Sequence, residues 1–212
     1  MVAKNSRTNG ERAFSKGKDN CINKKKSIIS SKFLFRYGID KFLNFCYSSN
    51  IPVSIISAGL RSVIIESLNW INDRLHPNVL DKIKYFSGNE IFDENNILVG
   101  FDKPLITCLN KHLIIQKYDK LTKNAIIMGD LIADLDMIRG INFENSIKIG
   151  FYNLKDDRSL NDFLDSFDIV IKGDGNLSSI VYILGLIIGS PINYDIPNIQ
   201  YLRGIFEYDQ II

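Results

Sequence analysis

The feature that most restricts this chain is a repeated handover from a short, uninterrupted apolar run to a segment of helical period. "IPVSIISAG" (51–59) leads into "LRSVIIESLNWIN" (60–72), where Val63, Ile64, Ser67, Leu68 and Ile71 fall at helical spacing. "NAIIMG" (124–129) leads into "DLIADLDMIRG" (130–140). "SIKIGF" (146–151), "LNDFLDSF" (160–167), "DIVIKG" (168–173) and "NLSSIVYILGLIIG" (176–189) then repeat the alternation. A strand that is apolar along its whole length must be covered on both faces, and a helix after each strand provides the cover. The expectation is an α/β fold built on a mostly parallel sheet with helices on both faces.

Local signals sharpen the outline. "FLFRYGIDKFLNFCYSSN" (33–50) spaces Phe35, Ile39, Phe42, Leu43 and Cys46 as an amphipathic helix ending in a polar run. Residues 112–123 read as a helix, Gly140 closes the one before it, and Asn176 is placed to cap the last. The segment 79–101 differs: two apolar runs flank turn-rich "GNE" and "DENN", which suits a small antiparallel excursion. Residues 191–212 show no clear period and are left unassigned. The division is therefore a basic arm (1–32), an α/β body (33–190) and a tail (191–212).

Composition supports a folded body: of 212 residues, 45% are hydrophobic and 24% charged. Charge is uneven. The arm holds nine Lys or Arg against Glu11 and Asp19, a net of +7, so the overall +2 leaves the remainder at −5. Such an arm is either a solvated extension or a contact for anionic partners such as nucleic acid. It has no apolar run of secretory type, and the longest apolar stretch, 180–189, is too short to span a bilayer, which needs about 20 residues. A soluble, cytoplasmic, monomeric protein is the expectation. Cys21, Cys46 and Cys108 lack metal-site or disulfide spacing, and Cys46 and Cys108 are expected in the core. His76 and His112 have no spacing that would pair them on a metal.

In an open parallel sheet, ligands bind beyond the carboxyl ends of the strands. Three candidates lie in such places. Ser57, Ala58 and Gly59 form a small-residue turn where main-chain N–H groups can approach an anion, although steric relief alone also explains small residues there. Lys111 precedes a helix and is either a phosphate partner or a solvated cation. Asp130 ends a strand and Asp134 follows one helical turn later. Hard carboxylate oxygens suit Mg²⁺ with waters and substrate phosphate, while capping explains Asp130 well and Asp134 poorly.

The order of a Ser turn, then Lys, then G-D-x-x-x-D resembles the haloacid dehalogenase-like phosphohydrolases. Within them it is similar to the cytosolic pyrimidine 5′-nucleotidase family. The closer match is carried by "YGIDKFLNFCYSSNIPVSIISAGL", "HPNV", "NILVGF", "LNKH", "MGDLIADLDM", "IKIGFYN" and "DSFDIVI", over roughly residues 33 to 188. The resemblance implies a Rossmann-like, HAD-like fold and Mg²⁺-dependent hydrolysis of nucleoside 5′-monophosphates, pyrimidine in base. It implies that Ser57, Ala58, Gly59 and Lys111 hold the phosphate and that Asp130 and Asp134 hold the metal. Lys111 and Asp130 are then the catalytic pair, and Asn110 positions the loop. Leu131 departs from the small polar residue usual at that position, which removes one hydrogen bond to phosphate.

The same resemblance implies an earlier Asp-x-Asp-x-Thr/Ser strand carrying the nucleophile, followed by a helical cap. Upstream of Ser57 the only aspartates are Asp19 and Asp40, and they form no such pair. Asp134 and Asp136 make the chain's one D-x-D, in the wrong order and within a helical segment. The expectation is an incomplete sheet without its central first strand, and little catalysis by this chain alone, because the aspartyl-phosphate route needs that carboxylate. A catalytically inactive binding or regulatory module, and a phosphatase of the same superfamily acting on another small phosphoester, are the alternatives.

Overall fold

The structure, a computed structural model, describes residues 34–95, 97–107, 109–116, 122–153, 157–173, 175–190, 199–202 and 205–208. The basic arm, Cys21 and Cys108 lie outside them. Helix α1 (Ile39–Ser48) buries Phe42, Leu43 and Cys46, as the spacing predicts. It starts at Gly38, whose φ is 80°, and a Cβ there would lie 3.0 Å from both Asn176 Oδ1 and Ser178 Oγ. Only glycine meets both demands, so the entry to α1 is tied to the start of the last helix.

Strand β1 (Ser54–Leu60) is followed at once by α2 (Arg61–Asn69), then a 3₁₀ turn (Asn72–Arg74) and the short α3 (Val79–Lys82). Strand β2 (Lys84–Gly88) pairs with β1 in parallel, Ile55 opposite Tyr85, with an irregularity before Leu60 meets Gly88. The antiparallel excursion is smaller than the sequence suggests. Only β3 (Glu90–Phe92) and β4 (Leu98–Phe101) form a hairpin, while 84–88 joins the parallel pair because Tyr85 packs against the main core.

The second half begins with α4 (Lys111–Gln116); residues 117–121 of the predicted helix fall outside the described residues. Strand β5 (Asn124–Gly129) leads into a 3₁₀ helix, Ile132–Ile138, where an α-helix is expected. Then come β6 (Asn145–Tyr152), α5 (Asp157–Ser166), β7 (Ile169–Lys172) and α6 (Ser178–Ile188). Asn176 does serve α6, its Oδ1 accepting from Ser178 N–H at 2.7 Å, one position earlier than the formal cap. The unassigned tail contributes β8 (Ile199–Leu202) and β9 (Ile205–Tyr208). The sheet order is β5-β6-β7-β9-β8, parallel except for β8.

The mixed α/β class with parallel sheets is as expected. Among the described residues β1 pairs only with β2, and β5 only with β6. Yet the two strands share core on both faces: Ile55 packs in one cluster with Ile126 and Met128, and Ile56 in another with Ile127 and Met137. Successive side chains of a strand point to opposite faces. So β1 and β5 flank a common interior without a hydrogen-bond ladder between them.

The core also sets a chemical property. Cys46 is 1% exposed, and burial pushes its thiol up to about 12 from its ordinary 9.0. The unfolded thiol ionises first as pH rises, so this group's contribution is complete below pH 9 and is lost as pH climbs from 9 toward 12. At pH 8 Cys46 is expected to resist iodoacetamide in the native chain and react on denaturation, which peptide mass mapping checks. Ready native alkylation would show that α1 is not packed as described.

Candidate active site

Ser57, Ala58 and Gly59 lie inside β1 rather than after it, in the irregular stretch where pairing to β2 breaks. The Ser57 hydroxyl oxygen accepts from Gly59 N–H at 3.0 Å, and Ala58 and Gly59 are exposed. The hydroxyl oxygen is therefore held against its own turn. Helix α2 begins two residues after Gly59.

Lys111 is the first residue of α4 and, contrary to a solvated surface lysine, only 8% exposed. Its Nζ donates to Asp134 Oδ1 at 2.6 Å. A buried ammonium is costly unless paired and hydrogen-bonded, and Asp134 meets that need. The other oxygen, Oδ2, accepts from the main-chain N–H groups of Asp130, at 3.1 Å, and Leu131, at 3.2 Å. Asp134 thus ties α4 to the exit of β5. The loop before α4 is braced by Asn110, whose Oδ1 accepts from Thr107 N–H and whose Nδ2 donates to the Leu105 carbonyl, both at 2.7 Å.

Asp130 contrasts with Asp134. It is exposed at the end of β5, and among the described residues no hydrogen bond or ion pair engages its carboxylate. Asp130 is not the cap of the following helix; Asp134 plays that part for the Asp130 and Leu131 amides. Leu131 is 54% exposed and its only donor, the main-chain N–H, is committed to Asp134. Asp136 pairs instead with Arg139, away from this cluster.

The structure brings Lys111, Asp134 and the Asp130 main chain together. Ser57 is joined to them by no hydrogen bond among the described residues. Two participants carried little sequence signal. Gly129 leaves room for Asp134: a Cβ on it would lie 2.5 Å from Asp134 Cβ and 2.7 Å from Oδ2. Glu90 binds Ser62 at the start of α2 from 28 residues away, beyond any local pattern.

As a metal site the donor set is lean. No group of three or more His, Cys, Asp or Glu side chains converges among the described residues. One uncommitted carboxylate beside a buried lysine nevertheless fits Mg²⁺, which is held by one or two carboxylates plus waters and substrate phosphate. No helix among the described residues is long and apolar enough to cross a membrane.

Comparison with known proteins identifies the family. The family model "Pyrimidine 5'-nucleotidase (UMPH-1)" matches residues 16–188. The 7-methylguanosine phosphate-specific 5'-nucleotidase A of Xenopus laevis is 36% identical over 164 residues, 74% of this chain and 55% of that protein. The 7-methylguanosine phosphate-specific 5'-nucleotidase of Homo sapiens is 33% identical over 158 residues, 71% of this chain and 51% of that protein. A crystal structure of cytosolic 5'-nucleotidase IIIB bound to cytidine superposes with a TM-score of 0.61 at 27% identity, covering 73% of this chain and 52% of that one. This chain thus spans about half the length of the relatives it matches. With 173 consecutive residues matched by one family model, and the Ser turn, buried lysine and strand-end aspartate all inside that span, the chain belongs to the pyrimidine 5′-nucleotidase (UMPH-1) family.

Proposed function

We propose that this chain is the phosphate- and metal-binding body of a Mg²⁺-dependent 5′-nucleotidase, acting on nucleoside 5′-monophosphates. The observation that carries this reading is the buried Lys111–Asp134 pair set against the uncommitted Asp130 carboxylate. Lys111 offers its remaining ammonium protons to a phosphate oxygen, while Asp134 fixes where that charge stands. The Ser57 hydroxyl and the Ala58–Gly59 main chain hold the opposite side of the phosphate. Asp130 supplies the metal-binding carboxylate; Asp134, with both oxygens engaged by donors, shapes the loop rather than meeting the ion. Bound Mg²⁺ would neutralise phosphate charge and so favour phosphoryl transfer.

The attacking carboxylate is assigned to a strand that would lie between β1 and β5. Two strands that share core on both faces but form no ladder support that placement. For the base, the family name points to pyrimidine and the names of the relatives above to 7-methylguanine; a panel of CMP, UMP and 7-methyl-GMP separates them.

The test uses the 212-residue chain. Calorimetry is expected to show Mg²⁺-dependent binding of orthophosphate, with no release of phosphate from the three nucleotides. Asp130→Asn should remove the metal dependence while leaving the fold intact by circular dichroism. Metal-dependent turnover by the chain alone would mean that a nucleophile is present in it. Phosphate binding indifferent to both Mg²⁺ and Asp130 would sink the metal assignment.

A further inference from the structure

Helix α2 starts badly by local rules. Its cap residue, Leu60, has no side-chain acceptor, its first residue is the cation Arg61, and its first turn holds no acid. A positive charge at the positive end of a helix dipole is unfavourable, and the first amides of a helix have no partner within the helix itself. This helix begins two residues after Gly59, so its looseness would pass directly to the proposed phosphate turn.

The missing acid comes from another element. One Glu90 oxygen accepts from Ser62 N–H at 3.2 Å, and the other from the Ser62 hydroxyl. Glu90 opens β3, two residues after β2 ends alongside the turn. There Leu60 pairs with Gly88, and a Cβ on Gly88 would come 3.5 Å from the Gly59 carbonyl oxygen. The turn is thus braced twice, internally by Ser57 Oγ on Gly59 N–H, and from the hairpin by Glu90 on Ser62.

We infer that Glu90 is a positioning residue for the phosphate turn, holding the Ser57–Ala58–Gly59 amides in one arrangement by capping α2 from outside the helix. The inference rests on the phosphate-binding reading above. A carboxylate near an anion site can also repel the anion. Here both Glu90 oxygens are engaged by donors at a helix N-terminus, which offsets its field, so the geometric effect is the larger.

Orthophosphate titration of the 212-residue chain with Mg²⁺, by ³¹P NMR, tests this against Glu90→Ala and Glu90→Gln. Glu90→Ala is expected to weaken binding about fivefold, the equivalent of losing one helix cap. Glu90→Gln keeps a carbonyl acceptor and is expected to restore most of that loss. Hydrogen exchange should show faster protection loss at residues 59–63 in Glu90→Ala, with the β5–β7 amides unchanged, which separates local loosening from unfolding. Wild-type affinity in Glu90→Ala, or tighter binding in both variants, overturns the positioning role; the latter identifies charge repulsion instead. Glu90→Ala that loses protection throughout the sheet also overturns it, since Glu90 would then hold the fold rather than the turn. If the unaltered chain binds no phosphate, the phosphate reading fails and this inference falls with it.

Discussion

Asp134→Ala is expected to lower the thermal midpoint by about 10 °C and to abolish retention of orthophosphate. The substitution strands three donors at once: the Lys111 ammonium and the main-chain N–H groups of Asp130 and Leu131. Both Lys111 and Asp134 are only 8% exposed, so water does not readily replace the lost acceptor. Removing one partner of a buried pair costs about 3–5 kcal/mol, and each kcal/mol moves the midpoint of a domain this size by about 2–4 °C. The companion double variant, Lys111→Met with Asp134→Leu, should be less destabilised than Asp134→Ala, because the stranded charge is removed with its partner. It would still bind no phosphate. Scanning calorimetry separates the two, and a midpoint within 2 °C of the unaltered chain for Asp134→Ala would contradict the buried pair.

Gly129→Ala is expected to destabilise by about 2 kcal/mol, within the range for forcing atoms into a packed interior, and to weaken phosphate binding more than its stability loss explains. The new methyl would lie 2.5 Å from Asp134 Cβ, 2.7 Å from Oδ2 and 3.0 Å from Cγ. Asp134 cannot yield cheaply, since its far end is held by Lys111 and two amides. The added carbon therefore displaces the carboxylate from Lys111. Gly100→Ala makes a matched control: nothing lies within 4 Å of a Cβ there, and only a small effect is expected. Equal behaviour of the two variants, measured by denaturant unfolding and phosphate titration, would show that Gly129 has slack not evident in the geometry.

These two residues show where sequence reading stops. Gly129 and Asp130 are legible as a strand end handing over to an acid, and Lys111 as a basic residue opening a helix. That Lys111 is buried is not, since only the fold shows α4 lying against the 3₁₀ helix that carries Asp134. With its partner unseen, Asp134 reads as a second metal carboxylate, whereas both of its oxygens already accept from donors of the fold. Glu90 reads as a turn residue in "GNE" until β2 is seen to end beside Gly59.

Local pattern was enough for the α/β class, the run of α1, α2, α6 and β5 to β7, and the strand-end placing of Asp130. Those follow from apolar period and turn residues, which act over fewer than about ten positions. Tertiary structure alone decided that β2 joins β1 in parallel, that the tail adds β8 and β9, and that 132–138 winds as a 3₁₀ helix. It also decided that Asp134 serves Lys111 across 23 residues and Glu90 serves Ser62 across 28. One cause underlies all of these. A side chain's period tells which face it occupies, but its hydrogen-bond partner is chosen by whichever donor the packed core brings within reach.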